Sequence, residues 1–405
     1  MADGGAPLRI ALVNWTDRVA GGAESYLRDL IPHLERRGHE LAVWSEGSRP
    51  AERPPLAGPA VTAWCAETLG TDRAVEALRA WRPSLLFVHG VEEPDLEEAL
   101  LGVAPAAVFV HTYRGTCVSG EKAFKLPTAR PCHRQFGPAC LAMYYPRRCG
   151  GLNPLTMLHR YRLEARRLEL LRRYAIVITA SDHMRGECLQ HGLPADRLHA
   201  LPLPVPAHAP GERTDTDHPH RLVWVGRMER PKGGIIFLDA AREAAAGLGR
   251  RLVVRMLGDG RERRRWETRA KRLEVDGHLT VRFHGWLDQP AIERVLLDSD
   301  LLVLSSVWPE PFGRVGLEAG RFGVPTAAFA VGGIPEWLED GTSGALAPGE
   351  PPTARGLAAA IVRCLQDPQE HARLRVGARA HAEHWSFARH AARLDDLLRR
   401  IGRHG

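Results

Sequence analysis

No stretch of 18 apolar residues occurs in the sequence, so no segment is predicted to span a membrane. The first strand-like run, residues 8–13, is too short for the apolar core of a signal peptide, and no small-residue cleavage site follows it. An internal repeat at a solenoid period is also missing. These absences predict a cytoplasmic protein, with peripheral contact to the inner membrane surface left open.

Lysine is scarce as well, and arginine supplies most of the positive charge behind the formal net charge of +7. A basic balance can indicate nucleic acid, anionic lipid or a phosphorylated substrate as the partner. Coding bias toward arginine on solvated helices explains it equally well. The 44% hydrophobic and 25% charged residues are typical of globular proteins, and 405 residues are enough for two domains.

Strand-like runs alternate with helical stretches in two series along the chain. Most of the runs are continuously apolar, which is typical of parallel strands covered by helices on both faces. The first series comprises residues 8–13, 41–44, 85–89, 107–111 and 175–180, and the second comprises 221–225, 252–257, 280–283, 301–304 and 325–329. Two such series predict an α/β protein with two doubly wound, Rossmann-like parallel sheets.

Residues 201–220 separate the two series and are rich in proline, polar and charged residues, which is typical of a linker. The boundary is therefore predicted near residue 206, between a first domain of residues 1–205 and a second of residues 206–385. A last helix is predicted over residues 387–400, with Ser386 as its N-cap. We expect this C-terminal segment, residues 386–405, to cross back to the first domain.

Another helix is predicted over residues 158–174, where Tyr161, Ala165, Leu168 and Leu171 share one face. Its arginines lie largely elsewhere on the helix. The favoured interpretation is a solvated face over a core stripe, and the alternative is docking to a membrane surface or an acceptor.

Two glycine-containing turns are candidates for phosphate binding. Gly21 and Gly22 precede a helix whose free N–H groups and dipole suit an anion. Gly226 and Arg227 follow the first strand of the second series, and Lys232 stands just before the next helix. Two cations beside a helix N-terminus suit a pyrophosphate and could replace a metal ion in neutralising leaving-group charge. Plain strand-to-helix turns and surface cations are the alternatives.

Two further strand ends carry candidate ligand-binding residues. Gly258 and Gly260 form a Gly-x-Gly turn, which by itself could be only a tight turn. His284 and Trp286 end the next strand and are placed to offer backbone groups to a nucleotide base. The alternative there is an ordinary strand end whose aromatic rings pack into the core.

Residues 310–318 form the most informative segment. Glu310 stands between two prolines, so it should lie in an extended loop. A helix predicted to start near Gly313 carries Glu318, and both carboxylates can then point into one cleft, Glu310 from its rim. Carboxylates suit sugar and ribose because they accept hydrogen bonds from paired hydroxyls. Free N–H groups that could hold a diphosphate or sugar oxygen belong to Phe312, Gly313, Arg314 and Val315.

This combination resembles the retaining GT-B glycosyltransferases of family 4. The resemblance rests on Arg227 with Lys232, on the Glu310-x7-Glu318 spacing and on the Gly-Gly-Ile-Pro-Glu run of residues 332–336. It implies the GT-B fold, in which two Rossmann-like domains face a central cleft. It also implies that Arg227 and Lys232 bind the donor diphosphate, Glu318 the nucleotide ribose and Glu310 the transferred sugar.

The same resemblance assigns roles in the first domain. Gly22 would lie near the donor phosphates. His111, which ends the strand of residues 107–111, would face the transferred sugar. His89 ends a neighbouring strand and competes for that role.

Four of the seven cysteines lie close together in the sequence: Cys117, Cys132, Cys140 and Cys149. In a cytosolic protein such a cluster suggests a metal before a disulfide. Four thiolates would complete a closed structural zinc site, although the tight Cys-x2-Cys knuckle is absent. Unligated buried thiols and a disulfide are the alternatives.

The sequence therefore predicts a metal-independent glycosyltransferase that moves a sugar from a nucleoside-diphosphate donor, UDP favoured over GDP, to an unidentified acceptor hydroxyl. Glycan, glycolipid or natural-product biosynthesis is the expected setting. No cofactor beyond structural zinc is expected, and no nucleic acid partner. The alternatives are a nucleotide-sugar epimerase or phosphorylase of the same fold, and a catalytically silent protein that binds nucleic acid or an anionic surface.

Overall fold

The computed structural model describes residues 6–150, 152–207, 220–275 and 277–402. The strands of this part of the chain are, in order, β1 (Arg9–Thr16), β2 (Glu40–Gly47), β3 (Thr62–Cys65), β4 (Leu85–Val88), β5 (Ala106–Val110), β6 (Ala123–Phe124), β7 (Arg130–Pro131), β8 (Ile176–Thr179), β9 (Leu198–Ala200), β10 (His220–Val225), β11 (Leu252–Leu257), β12 (Leu279–Gly285), β13 (Leu301–Leu304), β14 (Thr326–Phe329) and β15 (Gly344–Ala347).

Helices follow most of these strands. They are α1 (Gly22–Glu35), α2 (Ala66–Leu69), α3 (Thr71–Ala80), α4 (Pro94–Leu101), α5 (Ala139–Tyr144), α6 (Pro154–Leu171), α7 (Asp182–Gln190), α8 (Gly234–Leu248), α9 (Arg263–Leu273), α10 (Gln289–Leu297), α11 (Val315–Gly320), α12 (Ile334–Trp337), α13 (Ala354–Leu365), α14 (Pro368–His384) and α15 (Phe387–Gly402).

Two parallel sheets organise the molecule. The first has the strand order β3-β2-β1-β4-β5-β8-β9, and the second has the order β12-β11-β10-β13-β14-β15. In both sheets the order reverses direction beside the first strand, β1 or β10, as it does in doubly wound folds. The prediction of two such sheets is confirmed, and all ten predicted strands are present.

Three strands at sheet edges were not predicted from the sequence: β3, β9 and β15. Each has only three or four residues, and β3 and β9 are partly exposed. Short strands with one open edge do not need the long apolar runs that identify central strands. The hairpin of β6 and β7 was also missed, because each strand has only two residues.

The C-terminal helix α15 packs against α1, β4 and β5 of the first sheet. It begins at Phe387 as predicted and continues two residues beyond the predicted end. Beside its start, the N–H of Val205 donates to the carbonyl of Trp385 at 2.8 Å, so the two chain crossings between the sheets lie next to each other. Residues 208–219 of the predicted linker lie outside the described residues.

An insertion of residues 112–153 separates β5 from α6 and contains the β6–β7 hairpin and α5. The helix after it starts four residues before the predicted position and ends at Leu171. Its N-cap is Asn153, whose side chain accepts the N–H of Leu155. Of the four residues predicted to form its core stripe, only Leu171 is fully buried, because the buried Glu164–Arg167 pair occupies part of that face.

Candidate active site

Glu310 and Lys232 form an ion pair at the carboxyl edge of the second sheet. Lys232 Nζ lies 2.5 Å from Glu310 Oε1, and the Ser306 hydroxyl donates to the same oxygen. Burial alone would raise the pKa of Glu310, but the charge and hydrogen bond of Lys232 hold that pKa below its usual value. The carboxylate is therefore ionised at neutral pH. The prediction that Glu310 lies at the rim is wrong, since it is 7% exposed.

The second predicted cation, Arg227, lies on the loop after β10 and is exposed. It forms no ion pair with any described residue. The loop below it is fixed by the neighbouring turn, because the N–H of Met228 donates to the carbonyl of Asp259 at 2.8 Å. A Cβ on Gly258, whose φ is +121°, would stand 1.9 Å from the carbonyl oxygen of Gly226. The absence of a side chain at Gly258 thus allows the two loops to pack. A Cβ on Gly260 would likewise lie too close, 2.5 Å from the carbonyl oxygen of Met228.

Glu318 lies on α11, eight residues after Glu310, and Arg314 connects it to the first domain. Arg314 Nε lies 3.1 Å from Glu318 Oε1, and Arg314 Nη2 lies 3.0 Å from Asp29 Oδ2 on α1. The helix begins at Val315, two residues later than predicted, with Arg314 as its N-cap. The buried Phe312 has its carbonyl bound by the indole N–H of Trp337 at 2.5 Å. Within the described residues, the N–H groups of Gly313, Arg314 and Val315 have no acceptor.

Four other predicted positions are exposed near strand and helix ends. Gly21 is the N-cap of α1 and Gly22 is its first residue, and both are exposed. His284 is exposed on β12, and its pKa is lowered by partial burial and by nearby arginines. Trp286 is 51% exposed, and the guanidinium of Arg53, from the first domain, lies 4.3 Å from the ring centroid.

His111 and His89 are brought together at the ends of β5 and β4. His89 Nδ1 lies 3.0 Å from His111 Nε2, so the two predicted competitors are hydrogen-bonded. Burial lowers the pKa of His111 to about 3, and the pKa of His89 is also low because of burial and the neighbouring His111. Both imidazoles are therefore neutral at pH 7. His111 is the more exposed of the two.

The loop that carries Glu310 is held by two hydroxyls from the first domain, which the sequence analysis missed. The hydroxyl of Tyr113 donates to the carbonyl of Pro309 at 2.8 Å, and that of Ser181 donates to the carbonyl of Pro311 at 2.6 Å. Both side chains are fully buried. The carbonyl of Glu310 itself accepts the N–H of Gly333 at 2.8 Å.

Glu336 joins this contact between the domains. Its carboxylate accepts the N–H groups of Asp182 and His183 at 2.8 and 2.7 Å, and so caps the N-terminus of α7 across the interface. His183 Nε2 lies 2.9 Å from the Tyr113 hydroxyl, which links this cap to the Glu310 loop. No sequence pattern signals these contacts, because the partners are separated by 70 to 154 residues.

The four clustered cysteines line one small pocket in the insertion, together with Phe124 and Met143 among others. All four are free thiols. Burial raises the pKa of Cys149 to about 12, with a further contribution from the other three thiols. In the described ranges, no three His, Cys, Asp or Glu side chains are already arranged as ligands of one metal ion.

None of the described helices combines the length and the apolar character needed to cross a bilayer.

Two family models match the chain on either side of the predicted boundary. The model described as "Glycosyltransferase Family 4" matches residues 20–208, and "Glycosyl transferases group 1" matches residues 212–381. Among solved structures, Anabaena HepE in complex with UDP and glucose superposes with a TM-score of 0.70 at 18% identity, covering 97% of this chain and 100% of that one. At this identity the likeness shows the fold alone, and it confirms the GT-B arrangement.

Two curated relatives are similar in sequence. A D-inositol 3-phosphate glycosyltransferase of Thermobispora bispora is 33% identical over 183 residues, which are 44% of this chain and 42% of the relative. A 2-deoxystreptamine N-acetyl-D-glucosaminyltransferase of Streptomyces fradiae is 29% identical over 291 residues, 71% of this chain and 63% of the relative. The match thus spans less than two thirds of either relative. Together the two family models match most of the chain. The chain therefore belongs to the group 1 glycosyltransferases of family 4.

Proposed function

We propose that this protein is a retaining glycosyltransferase that moves a sugar from a nucleoside-diphosphate donor to an acceptor hydroxyl. The observation that carries the proposal is the ion pair between Glu310 and Lys232. The exposed cation Arg227 lies on the same connection as Lys232, between β10 and α8. The cations suit a diphosphate, and the carboxylate suits sugar hydroxyls. Biosynthesis of a glycan, a glycolipid or a glycosylated natural product is the proposed setting.

UDP is the favoured nucleotide. The solved structures of Anabaena HepE contain UDP with glucose and UDP-glucose, which supports a uridine donor for a chain of the same fold. In the proposed complex Glu318 accepts hydrogen bonds from the ribose, and the neutral His111 faces the sugar. The surface at Trp286 and His284 would lie against the base.

In the proposed chemistry the acceptor oxygen attacks the anomeric carbon on the same face from which the leaving group departs. The acceptor oxygen bonds to the anomeric carbon while the bond from that carbon to the phosphate oxygen breaks, and the acceptor's proton passes to the departing phosphate. In this scheme Glu310 is not the nucleophile: its Oε1 stays bound to Lys232 and the Ser306 hydroxyl, and the carboxylate binds the sugar hydroxyls. The protein's contribution would be the stabilisation of negative charge on the diphosphate by Arg227 and Lys232.

The test is a thermal-shift screen with UDP-, GDP-, ADP- and dTDP-sugars, since a ligand that binds only the folded state raises its stability. Stabilisation by one nucleotide series is expected, with UDP-sugars first. The stabilising donor is then incubated with candidate hydroxyl acceptors, and the anomeric configuration of the product is determined by NMR. Failure of every sugar nucleotide to stabilise the protein or to be consumed, or a product with inverted configuration, would overturn the proposal.

Transfer is proposed to need no divalent metal, because two protein cations supply the charge that a metal ion would otherwise provide. Activity should therefore survive brief treatment with EDTA. Immediate loss of activity that Mn²⁺ or Mg²⁺ restores would contradict this.

The insertion is proposed to bind one structural zinc ion through Cys117, Cys132, Cys140 and Cys149. Four thiols around one pocket are a donor set that suits zinc. The pocket would have to tighten around the ion, since the thiols are not yet arranged as ligands. Elemental analysis should find about one zinc per chain, falling to zero when Cys132 and Cys149 are both replaced by Ser but not when the distant Cys65 is replaced. No zinc in the wild-type protein would refute the site.

A further inference from the structure

Residues 122–163 form a long, strongly basic stretch of the chain. They contain eight Lys and Arg residues and no Asp or Glu, so their formal charge of +8 exceeds the +7 of the whole chain. These residues comprise the β6–β7 hairpin, α5 and the first half of α6. We refer to them as the basic segment.

Three leucines are exposed where α6 begins. Leu152, Leu155 and Leu158 are 64%, 75% and 39% exposed, and each is three residues from the next. Leu155 and Leu158 lie on the first turns of the helix, where residues three apart share a face. Single exposed leucines are common on protein surfaces, but a row of three forms an apolar ridge.

The arginines near the start of α6 differ from those further along the chain. Of the two on the first half of the helix, Arg162 shares the face of Leu155 and Leu158, whereas Arg160 lies on the opposite side. Arg148, Arg160 and Arg162 are exposed and form no ion pair with any described residue. By contrast, Arg166 in the second half of the helix and Arg173, two residues beyond its end, both pair with Glu98 on α4. The solvated face over a core stripe that the sequence favoured therefore does not describe the first half of the helix, where the unpaired Arg162 lies on the same face as the exposed Leu155 and Leu158.

We infer that this face docks on an anionic lipid surface, with the leucine ridge inserted among the acyl chains and the arginines at the headgroups. Exposed apolar side chains flanked by basic ones are the surface that interfacial membrane binding requires. A soluble polyanion such as nucleic acid would attract the arginines but would leave the leucines exposed. Docking goes beyond the proposed function, because none of these residues belongs to the candidate active site.

The experiment is co-sedimentation of the purified full chain with sucrose-loaded vesicles. One set of vesicles contains phosphatidylcholine alone, and the other contains about 30% of the anionic lipid phosphatidylglycerol as a probe of charge. Binding is expected only to the anionic vesicles and should weaken as salt is raised. Leu155→Asp with Leu158→Asp should weaken binding by at least about tenfold. Arg162→Glu, on the leucine face, should weaken it by at least about fivefold. Controls are Val376→Asp on α14 and Lys271→Glu with Arg272→Glu on α9, which should bind like wild type.

Thermal melting and nucleotide binding of each variant establish that it is folded. Wild-type protein that fails to bind anionic vesicles overturns the inference. So does a leucine double variant that binds as well as wild type, since the attraction would then be electrostatic and independent of this face. If wild type elutes as a dimer in size-exclusion chromatography and the leucine variant as a monomer, the ridge is instead an interface between two copies of the chain.

Discussion

At the scale of single residues, Glu310 and Glu318 have different partners and should fail differently when changed. In the proposed complex Glu310 contacts the sugar as charge develops on it, so Glu310→Gln should lower kcat by roughly 10²–10³. The change also releases Lys232 from its ion pair, so UDP should bind as tightly as before or more tightly. Steady-state kinetics with separate calorimetry of UDP binding would check both, with the exposed Glu243→Gln on α8 as the control.

Glu318→Gln should mainly weaken nucleotide binding, because the proposed contact of Glu318 with the ribose would be equally strong in the ground and transition states. Its loss also frees the buried Arg314, which still has Asp29 as a partner. If Glu318→Gln abolishes turnover with UDP affinity intact while Glu310→Gln leaves turnover unchanged, the two roles are reversed.

The two cations should also be distinguishable. Arg227→Ala should weaken donor binding with little change in the free energy of unfolding, because Arg227 is exposed and pairs with no described residue. Lys232→Ala should in addition destabilise the fold by about 1–3 kcal/mol, since it leaves the buried Glu310 charge unpaired. Urea denaturation of both variants tests this, and Glu310→Gln should restore part of the stability lost in Lys232→Ala. Equal stability of the two single variants would contradict the asymmetry.

At the scale of elements, the loop of residues 308–313 is positioned by contacts from the opposite domain. Tyr113→Phe removes only the hydroxyl, which contacts both the Pro309 carbonyl and His183 Nε2, so Glu310 should be held less firmly while Arg227 and Lys232 remain in place. We expect kcat to fall by about tenfold, which corresponds to one hydrogen bond of about 1–1.5 kcal/mol, with little change in UDP affinity. The matched control is Tyr145→Phe, whose hydroxyl has no partner among the described residues.

A fall in UDP affinity alone, with kcat preserved, would show that Tyr113 acts on the donor site rather than on Glu310. Ser181→Ala should behave like Tyr113→Phe, because it releases the carbonyl on the other side of Glu310.

At the scale of the whole molecule, buried neutral histidines should make the fold sensitive to acid. Burial lowers the pKa of His390 to about 3, and the pKa of His89 is also well below its usual value because of burial. Unfolded histidine titrates near pH 6.5, so between pH 6.5 and 3 the unfolded chain binds protons that the folded chain does not. Stability is therefore fully present above pH 6.5 and should fall below it by roughly 1.4 kcal/mol per pH unit for each such histidine.

Urea denaturation between pH 7.5 and 4.5 measures this slope. His390→Gln keeps an acceptor for the Tyr26 hydroxyl, which lies 2.7 Å from His390 Nε2, but cannot titrate. The variant should lose the contribution of one histidine to the slope, and a slope equal to that of wild type would refute the assignment.

The sequence by itself determined the two sheets and much of the chemistry offered at their edges. Central parallel strands need continuous apolar runs, and Lys232, Glu310 and Glu318 belong to local motifs. The strands and these residues could therefore be predicted from the sequence. The tertiary structure alone decided that Glu310 is buried against Lys232 and that His89 bonds to His111. It also decided that Tyr113, Ser181 and Glu336 join the domains. These contacts join side chains from distant parts of the sequence, and no local periodicity or spacing predicts which of them will pair.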